Sequence, residues 1–424
     1  MLEIQYIREN AQMVIEGLKK KRFLQAEEVV EKTILTDKER REIQNQQDQL
    51  LAEANSLSKK IGLLMREGKK EEAELVKKAS IHAKQKAKEY ADLLSQKEKG
   101  LEELLYQMPN VPHKNVPEGS SADDNEVIFQ STNFPKLPES ALPHWELISK
   151  YDIINFELGN KVTGAGFPFY KGKGARLQRA LVNFFLDEAT KAGYQEIQPP
   201  VVVNEASALG TGQLPDKEGQ MYKLENHDYY LIPTAEVPIT NMFRNVILEK
   251  KQLPLKLTGF TPCFRREAGS WGADVRGLNR LHQFDKVEIV QITEPSISYE
   301  VHEEMKNHIE NVVQKLALPY RILNLAGGDL SFNAALCYDF EVFSAAQKKW
   351  LEVSSISNFE TFQANRLKLR YRNTENKSQL VHTLNGSALA LPRIVAAILE
   401  NNQTESGITI PEVLHDYTGF DIIK

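Results

Sequence analysis

The sequence is poor in cysteine and has neither a long apolar run nor a histidine pattern that would hold a metal. Only Cys263 and Cys337 occur in 424 residues, which excludes a disulfide framework and a cysteine-rich zinc site. No apolar stretch approaches the roughly 20 residues of a membrane span, and residues 1–10 carry no signal-peptide pattern. The expected setting is therefore cytoplasmic, with no membrane partner. The nine histidines include no HExxH pair, and no zinc ligand set is evident. Gly172-Lys173-Gly174 precedes a helical pattern, but neither GxxxxGKS/T nor a strand-bounded GxGxxG is present, so P-loop and Rossmann nucleotide sites are excluded. No internal repeat is visible. A net charge of −5 from 53 basic and 58 acidic residues does not by itself point to a polyanionic partner.

What is present is ordinary in bulk and uneven along the chain. Hydrophobic content of 41% and charged content of 26% suit a water-exposed globular fold, long enough for a large core and two domains. Residues 38–99 hold 15 Lys/Arg against 11 Asp/Glu, leaving 38 against 47 elsewhere. In the same segment Ile43, Gln47, Leu50, Ala54, Leu57, Ile61 and Leu64 follow 4-3 spacing, and so do Ala73, Val76, Ser80, Ala83, Ala87, Tyr90 and Leu94. Gly68 stands between the two series, and no proline lies between Thr36 and Met108. The pattern predicts an antiparallel coiled-coil hairpin over about 38–99, with one continuous dimer-forming helix as the alternative. Basic residues on its sides and near its tip (Lys59, Lys60, Arg66, Lys69, Lys70, Lys77 and Lys78) either meet phosphates or simply solvate an exposed arm.

The Pro-, Ser- and acid-rich stretch that begins at 109 marks a boundary, giving an N-terminal domain over 1–108 and a second over 109–424. Beyond it, an amphipathic helix is expected over 174–192. Strands are expected over 194–203 (interrupted by Pro199-Pro200), 229–232, 257–264, 286–292, 340–342 and 350–354, and a last helix over 392–401. Strands outnumber crossover helices, so the fold class is α+β, with a mostly antiparallel sheet flanked by helices.

Residues 264–288, FRREAGSWGADVRGLNRLHQFDKVE, carry the strongest chemical signal. Arg265, Arg266, Arg276 and Arg280 share this stretch with Glu267 and Glu288, and the strand-like ends predict charged groups projecting from paired strands around a glycine-rich loop. Guanidinium groups give bidentate, charge-assisted contacts to phosphate; the competing reading is a solvated hairpin with surface ion pairs. Three further patterns accompany it. Thr234 and Glu236, two apart on an extended chain, face one side and suit an ammonium group. Glu352 is followed by Val353, Ser354 and Ser355 in a strand-like run, and Glu341 is a second acidic residue on the preceding strand; either also reads as a strand-edge residue. Thr383 and Ser387 precede Arg393, which lies at the start of an apolar helix whose N-terminus favours an anion.

Together these segments resemble motifs of the class II aminoacyl-tRNA synthetases: Phe264-Arg265-Arg266-Glu267 with Arg280 and Phe284 is similar to motif 2, and 383–393 to motif 3. The helix at Gly174 with the following strand and Pro200 is similar to motif 1. The wording of 264–288 and of Thr234-Ala235-Glu236 is similar to the bacterial seryl branch in particular. The resemblance implies a homodimer through motif 1 and ATP-dependent activation of L-serine with Mg2+. It further implies transfer to tRNA(Ser), with tRNA(Sec) as a further acceptor, and an N-terminal tRNA-binding arm.

By the same resemblance Arg265 bridges the α-phosphate and the serine carboxylate, Arg266 and Glu267 line the ATP pocket, and Phe284 stacks on the base. Glu352 holds Mg2+, with Val353, Ser354 and Ser355 beside it, and Arg393 meets the γ-phosphate. Thr234, Ala235, Glu236 and Glu288 receive the serine ammonium, Ser387 or Thr383 lies near the hydroxyl, and Arg276 meets the tRNA acceptor end. Arg265, Glu267 and Arg393 form the catalytic set. The sequence departs from the family pattern at Ala388 and Pro392, where glycine is common. Competing classes are a ligase for another acceptor, a non-catalytic binding module and a coiled-coil scaffold.

Overall fold

The computed structural model describes residues 1–268 and 276–424, and its contacts divide the chain into two compact units. The first comprises residues 1–19 and 23–109. It contains two short helices, α1 (Ile4–Glu9) and α2 (Ala11–Lys20), and two long ones, α3 (Ala26–Arg66) and α4 (Lys70–Gln107). At 1.5 Å per residue, α3 is about 60 Å long. The hairpin thus extends beyond the expected 38–99 at both ends, because helical pattern and absence of proline continue past the heptad series.

Every position of the two series is buried or half-buried, from Ile43 to Leu94. Ala54, Ala73, Ser80, Ala83 and Ala87 are the small residues that let the backbones approach, and Ser80 also stands 3.3 Å from Ser58 across the seam. Gly68, at φ 75°, ends α3: Lys69 N–H donates to Leu64 O at 2.9 Å and Gly68 N–H to Met65 O at 3.3 Å. This pair of bonds satisfies the orphan carbonyls while the left-handed glycine reverses the chain. At the base, buried Asp37 accepts from Arg8, Arg40 and Arg41, tying α1 to α3.

The second unit, residues 20–22 and 110–424, is built on an eight-stranded sheet. Its strands in chain order are β1 (Glu126–Gln130), β2 (Gln195–Glu196), β3 (Leu255–Phe264), β4 (Gln283–Thr293), β5 (Tyr320–Asn324), β6 (Leu336–Ser344), β7 (Lys349–Asn358) and β8 (His382–Ala390). They lie in the order β1-β5-β6-β7-β8-β4-β3-β2, and every neighbouring pair is antiparallel except β3–β2. The expected strand over 194–203 shrinks to β2 and a separate short strand, Val202–Asn204, because Pro199 and Pro200 cannot donate to a ladder.

The labelled helices of this unit are α5 (His144–Lys150), α6 (Gly172–Lys191), α7 (Glu236–Asn241), α8 (Ser298–Lys315) and α9 (Leu391–Asn401). Phe184, Phe185, Leu177 and Leu181 of α6 join Met305 and Ile309 of α8, Ile394 and Ile398 of α9, and Val287 and Ile289 of β4 in the main core. Burying side chains of this size contributes about 1.5–3 kcal/mol each. Strand side chains alternate between faces, so Phe284, Lys286, Glu288 and Val290 point to the opposite face. There Val290 and Leu257 pack on Ala235 and Ile239.

Candidate active site

The site lies on that second face, where β4, β7 and β8 run side by side. Ser387 stands opposite Glu288, and Asn385 opposite Val290, so the period of two places Thr383, Asn385 and Ser387 on the same face as Glu288. Val353 makes a bulge in β7: Phe340 faces Ser354, but the next residue, Glu341, faces Glu352. The extra residue brings Glu352 onto the face of Ser355, which an uninterrupted strand would not do. It also turns Ser354 away; its buried hydroxyl donates to Ser387 O. Asp339, opposite Ser355, joins the same face, and burial first and Glu352's charge second push its carboxyl well above the usual range. Glu341 is engaged by Arg321.

The inner part of the site is a closed network. Thr234 does not lie on an extended chain with Glu236, as the sequence pattern predicts, because Ala235 is already helical (φ −66°, ψ −18°) and Glu236 opens α7. The pair converges all the same through that turn: Glu236 N–H donates to Thr234 Oγ1 at 3.2 Å, and Thr234 Oγ1–H donates to Glu288 Oε2 at 3.2 Å. Buried Glu236 receives Gln363 Nε2 at 2.6 Å and Asn385 Nδ2 at 2.9 Å. Asn385 Nδ2 also stands 2.9 Å from Glu288 Oε1, and Thr383 Oγ1–H donates to Gln363 Oε1 at 2.8 Å.

The two carboxylates are unequally served. Glu288 has a direct cation, Lys286 Nζ at 2.6 Å. Among the described residues, the side chains within bonding distance of the Glu236 carboxyl are the neutral amides of Gln363 and Asn385. Burial, followed by repulsion from Glu288, pushes Glu236 up to about 7.

The outer part is a cleft lined by Arg265, Glu267, Arg280, Phe284, Lys286, Glu352, Val353, Ser387 and Arg393, among others. Among the described residues four cations face two carboxylates there, an excess suited to a polyanion. The arginines sit in the connection after β3 rather than in the strands, and the backbone pins them. Phe264 N–H donates to Ile232 O at 2.8 Å, Arg265 N–H to His282 O at 2.9 Å and Arg266 N–H to Gln220 O at 2.9 Å. The Arg265 guanidinium lies 5.3 Å over the Phe284 ring and reaches back to Pro233 O at 3.4 Å, beside the inner network. Glu267, at φ 50°, pairs with Arg280. Arg393 donates to Asn279 O at 3.1 Å and Glu352 O at 2.7 Å, and lies 3.5 Å from the Glu352 carboxylate. Arg266 is exposed and outside this lining. Residues 269–275, the middle of the arginine-rich loop, lie outside the described residues, and with them the expectation that the loop closes over a nucleotide.

Lys286, Gln363, Asn385, Asn279 and Asp339 were not among the residues expected from sequence. Lys286 and Asn385 had a signal, since each sits two residues from an expected member (Glu288; Thr383 and Ser387) on the same strand. Gln363 reaches the site from a separate helix and had none.

Strands of this order, with arginine at the end of β3 and again at the start of the helix after β8, define the core of a class II tRNA synthetase. Residues 221–402 match the family model described as "tRNA synthetase class II core domain (G, H, P, S and T)", and residues 1–112 match "Seryl-tRNA synthetase N-terminal domain". The chain belongs to the serine–tRNA ligase family. It is 49% identical to the serine–tRNA ligase of Salinibacter ruber over 99% of this chain and 98% of that one. It is 45% identical to that of Chlorobaculum parvum over the whole of both. Among solved structures it resembles seryl-tRNA synthetase from Pyrococcus horikoshii complexed with ATP (35% identity, TM-score 0.92, 100% of this chain and 99% of that one). It also resembles the cytoplasmic serine–tRNA ligase of Naegleria fowleri in complex with AMP (28%, TM-score 0.87, 100% and 99%).

Proposed function

We propose that this site joins L-serine to ATP as seryl-adenylate and that the chain then transfers serine to the 3′ end of tRNA(Ser), with tRNA(Sec) as a second acceptor. The observation that carries the serine half is Glu236, a buried carboxylate held by amides and short of a cation. An α-ammonium group entering beside Glu236 and Glu288 supplies that cation, and buried polar groups left unpaired by a smaller side chain discriminate against it. Ser387 and Thr383 are the hydroxyl-side candidates. The cationic cleft takes the nucleotide, as the ATP and AMP complexes of the structural relatives support.

In this reaction the serine carboxylate is the nucleophile, so the protein's work is alignment and charge neutralisation at the α-phosphate. Arg265, between the inner network and the cleft, bridges the serine carboxylate and the α-phosphate. Phe284 offers a face to the base, Glu267 a carboxylate to the adenine amino group, and Arg393 a guanidinium to the γ-phosphate. Arg266 is assigned to the ATP rim, Arg276 to the tRNA acceptor end, and Val353 and Ser354 to the wall behind the phosphates.

The β7 bulge gathers Glu352 and Ser355 on one face as hard oxygen ligands, which fits Mg2+. Among the described residues no three His, Cys, Asp or Glu converge to hold a metal alone; Glu352, with Ser355 beside it, would hold the ion together with the nucleotide. When bound there, Mg2+ would supply charge neutralisation on the phosphates. The α3–α4 hairpin reads the tRNA, and α6 with Pro200 forms a homodimer interface. No helix among the described residues is long and apolar enough to cross a membrane; the working compartment in this proposal is the cytoplasm.

ATP–pyrophosphate exchange with a panel of amino acids tests the activation step. Exchange driven by serine well above alanine and threonine is expected; no exchange with serine, or faster exchange with another amino acid, sinks the assignment.

A further inference from the structure

Away from the reacting groups, α5 opens on a buried polar cluster that no step above uses. His144 and Glu400 are both fully buried, 256 residues apart in sequence. Glu400 Oε1 accepts from His144 N–H at 2.9 Å, from the His144 ring at 2.7 Å and from Gln347 Nε2 at 2.9 Å, and Oε2 accepts from the Ser344 hydroxyl. Burial works to raise this carboxyl, yet the His144 and Ser344 donors outweigh it and hold Glu400 below the ordinary range. On its other side, His144 Nε2 stands 2.8 Å from Leu278 N. A backbone N–H can only donate, so Nε2 is the acceptor and the ring proton sits on Nδ1, facing Glu400. The tautomer is fixed by the two partners together.

Two further observations place this ring against the returning end of the arginine-rich loop. Gly277 is at φ +67°, and a Cβ there would lie 2.3 Å from His144 Nε2. The next residue of α5, Trp145, carries the Arg276 guanidinium 4.9 Å over its ring. Gln347 extends the cluster toward the cleft: its Oε1 accepts from Asn279 Nδ2 at 2.9 Å, and Asn279 O accepts Arg393 Nε at 3.1 Å. A continuous chain therefore runs from Glu400 through His144 and Gln347 to the Gly277–Asn279 turn and on to Arg393.

We propose that His144, backed by Glu400, is a positioning residue for the nucleotide half of the site: it fixes the Gly277–Asn279 turn and, through Asn279, the Arg393 guanidinium. This rests on Arg393 meeting ATP, as proposed above. His144 acts through the guanidinium's position rather than on a substrate, and among the described residues these bonds lead to Arg393 and not to Thr234, Glu236 or Glu288. The signature is therefore a split between the two substrates.

The test is steady-state ATP–pyrophosphate exchange by the full chain. His144→Phe keeps the ring and removes both nitrogens; the KM for ATP is expected to rise about ten-fold, the loss of roughly one well-made hydrogen bond to a charged network, while the KM for serine stays within about two-fold. His144→Gln, whose Oε1 can accept from Leu278 N–H, is expected to restore most of the ATP KM. Should His144→Phe fail to fold, Gln347→Met decides, because it cuts the link to Asn279 at a half-buried position; a rise in ATP KM of about three-fold with serine KM unchanged is expected. Equal changes in both KM values, or an unchanged ATP KM in the folded variant, would overturn the proposal. Absence of exchange in the unmodified protein would instead refute the parent assignment, so the two failures are distinguishable.

Discussion

Replacing Glu236 with Gln gives the most discriminating perturbation of the inner pocket. Burial and the neighbouring Glu288 push the carboxyl up to about 7 in the fold against 4.5 ordinarily, so between those values the folded state holds a proton the unfolded chain has lost. Glu236's own contribution to the stability of the ligand-free protein therefore falls as pH rises through that window, by about 3 kcal/mol once it is fully ionised. Serine acts in the opposite sense, because its ammonium favours the ionised carboxylate. Below about pH 7 each unit of acidification should raise the KM for serine about ten-fold, and above it the KM should level off.

Glu236→Gln removes both behaviours at once. The melting temperature of the variant gains on that of the wild type as pH rises across that range, and the serine KM loses its pH slope. Losing one partner of a buried charge pair costs about 2–5 kcal/mol, so kcat/KM for serine should fall by about thirty-fold to several thousand-fold. The KM for ATP should change little, since Glu236 does not line the cleft. Exchange kinetics and thermal melts over the same pH series provide the assay. A variant that keeps the wild-type serine KM, or keeps its pH slope, would refute the assignment of Glu236 to the ammonium.

Arg393→Ala should raise the KM for ATP and lower kcat by about a hundred-fold together, with serine binding measured by calorimetry almost unchanged. Glu352→Gln should displace the Mg2+ activation curve of exchange to higher concentration without altering the serine KM. Replacing residues 38–99 with a short glycine-rich turn is geometrically permitted, since Lys97 Nζ contacts Glu39 Oε2 at 2.6 Å across the hairpin. The product should exchange pyrophosphate with serine yet fail to charge tRNA(Ser), and unchanged charging would show that the hairpin is not the tRNA reader. Phe185→Ala, at a fully buried position of α6, should cost about 3–5 kcal/mol of stability in urea titrations.

Local pattern carried much of the fold. The heptad series from Ile43 to Leu94 marks the buried seam of the hairpin, and Gly68 marks its turn, because both depend on spacing and on one backbone conformation. The strands flanking the arginines were equally legible, their ends differing from expectation by a few residues. What sequence spacing misses is what the sheet assembles from distant segments. Gln363 meets Glu236 across 127 residues, and Asp339 reaches the face of Glu352 only because Val353 bulges. Thr234 and Glu236 were correctly paired for the wrong local reason, since a helical turn rather than a strand joins them. The seven-residue α5 is too short for periodicity to register, so its hold on Leu278 was invisible until the fold brought residue 400 beside residue 144.

The central claim is that this chain activates serine and delivers it to tRNA(Ser). Its most direct test is the transfer of radiolabelled serine, compared with alanine and threonine, to a purified tRNA(Ser) transcript in the presence of ATP and Mg2+. Stable attachment of serine, with far slower attachment of alanine and threonine, is the predicted result. No ATP-dependent attachment of serine, or attachment of alanine at an equal rate, would contradict it.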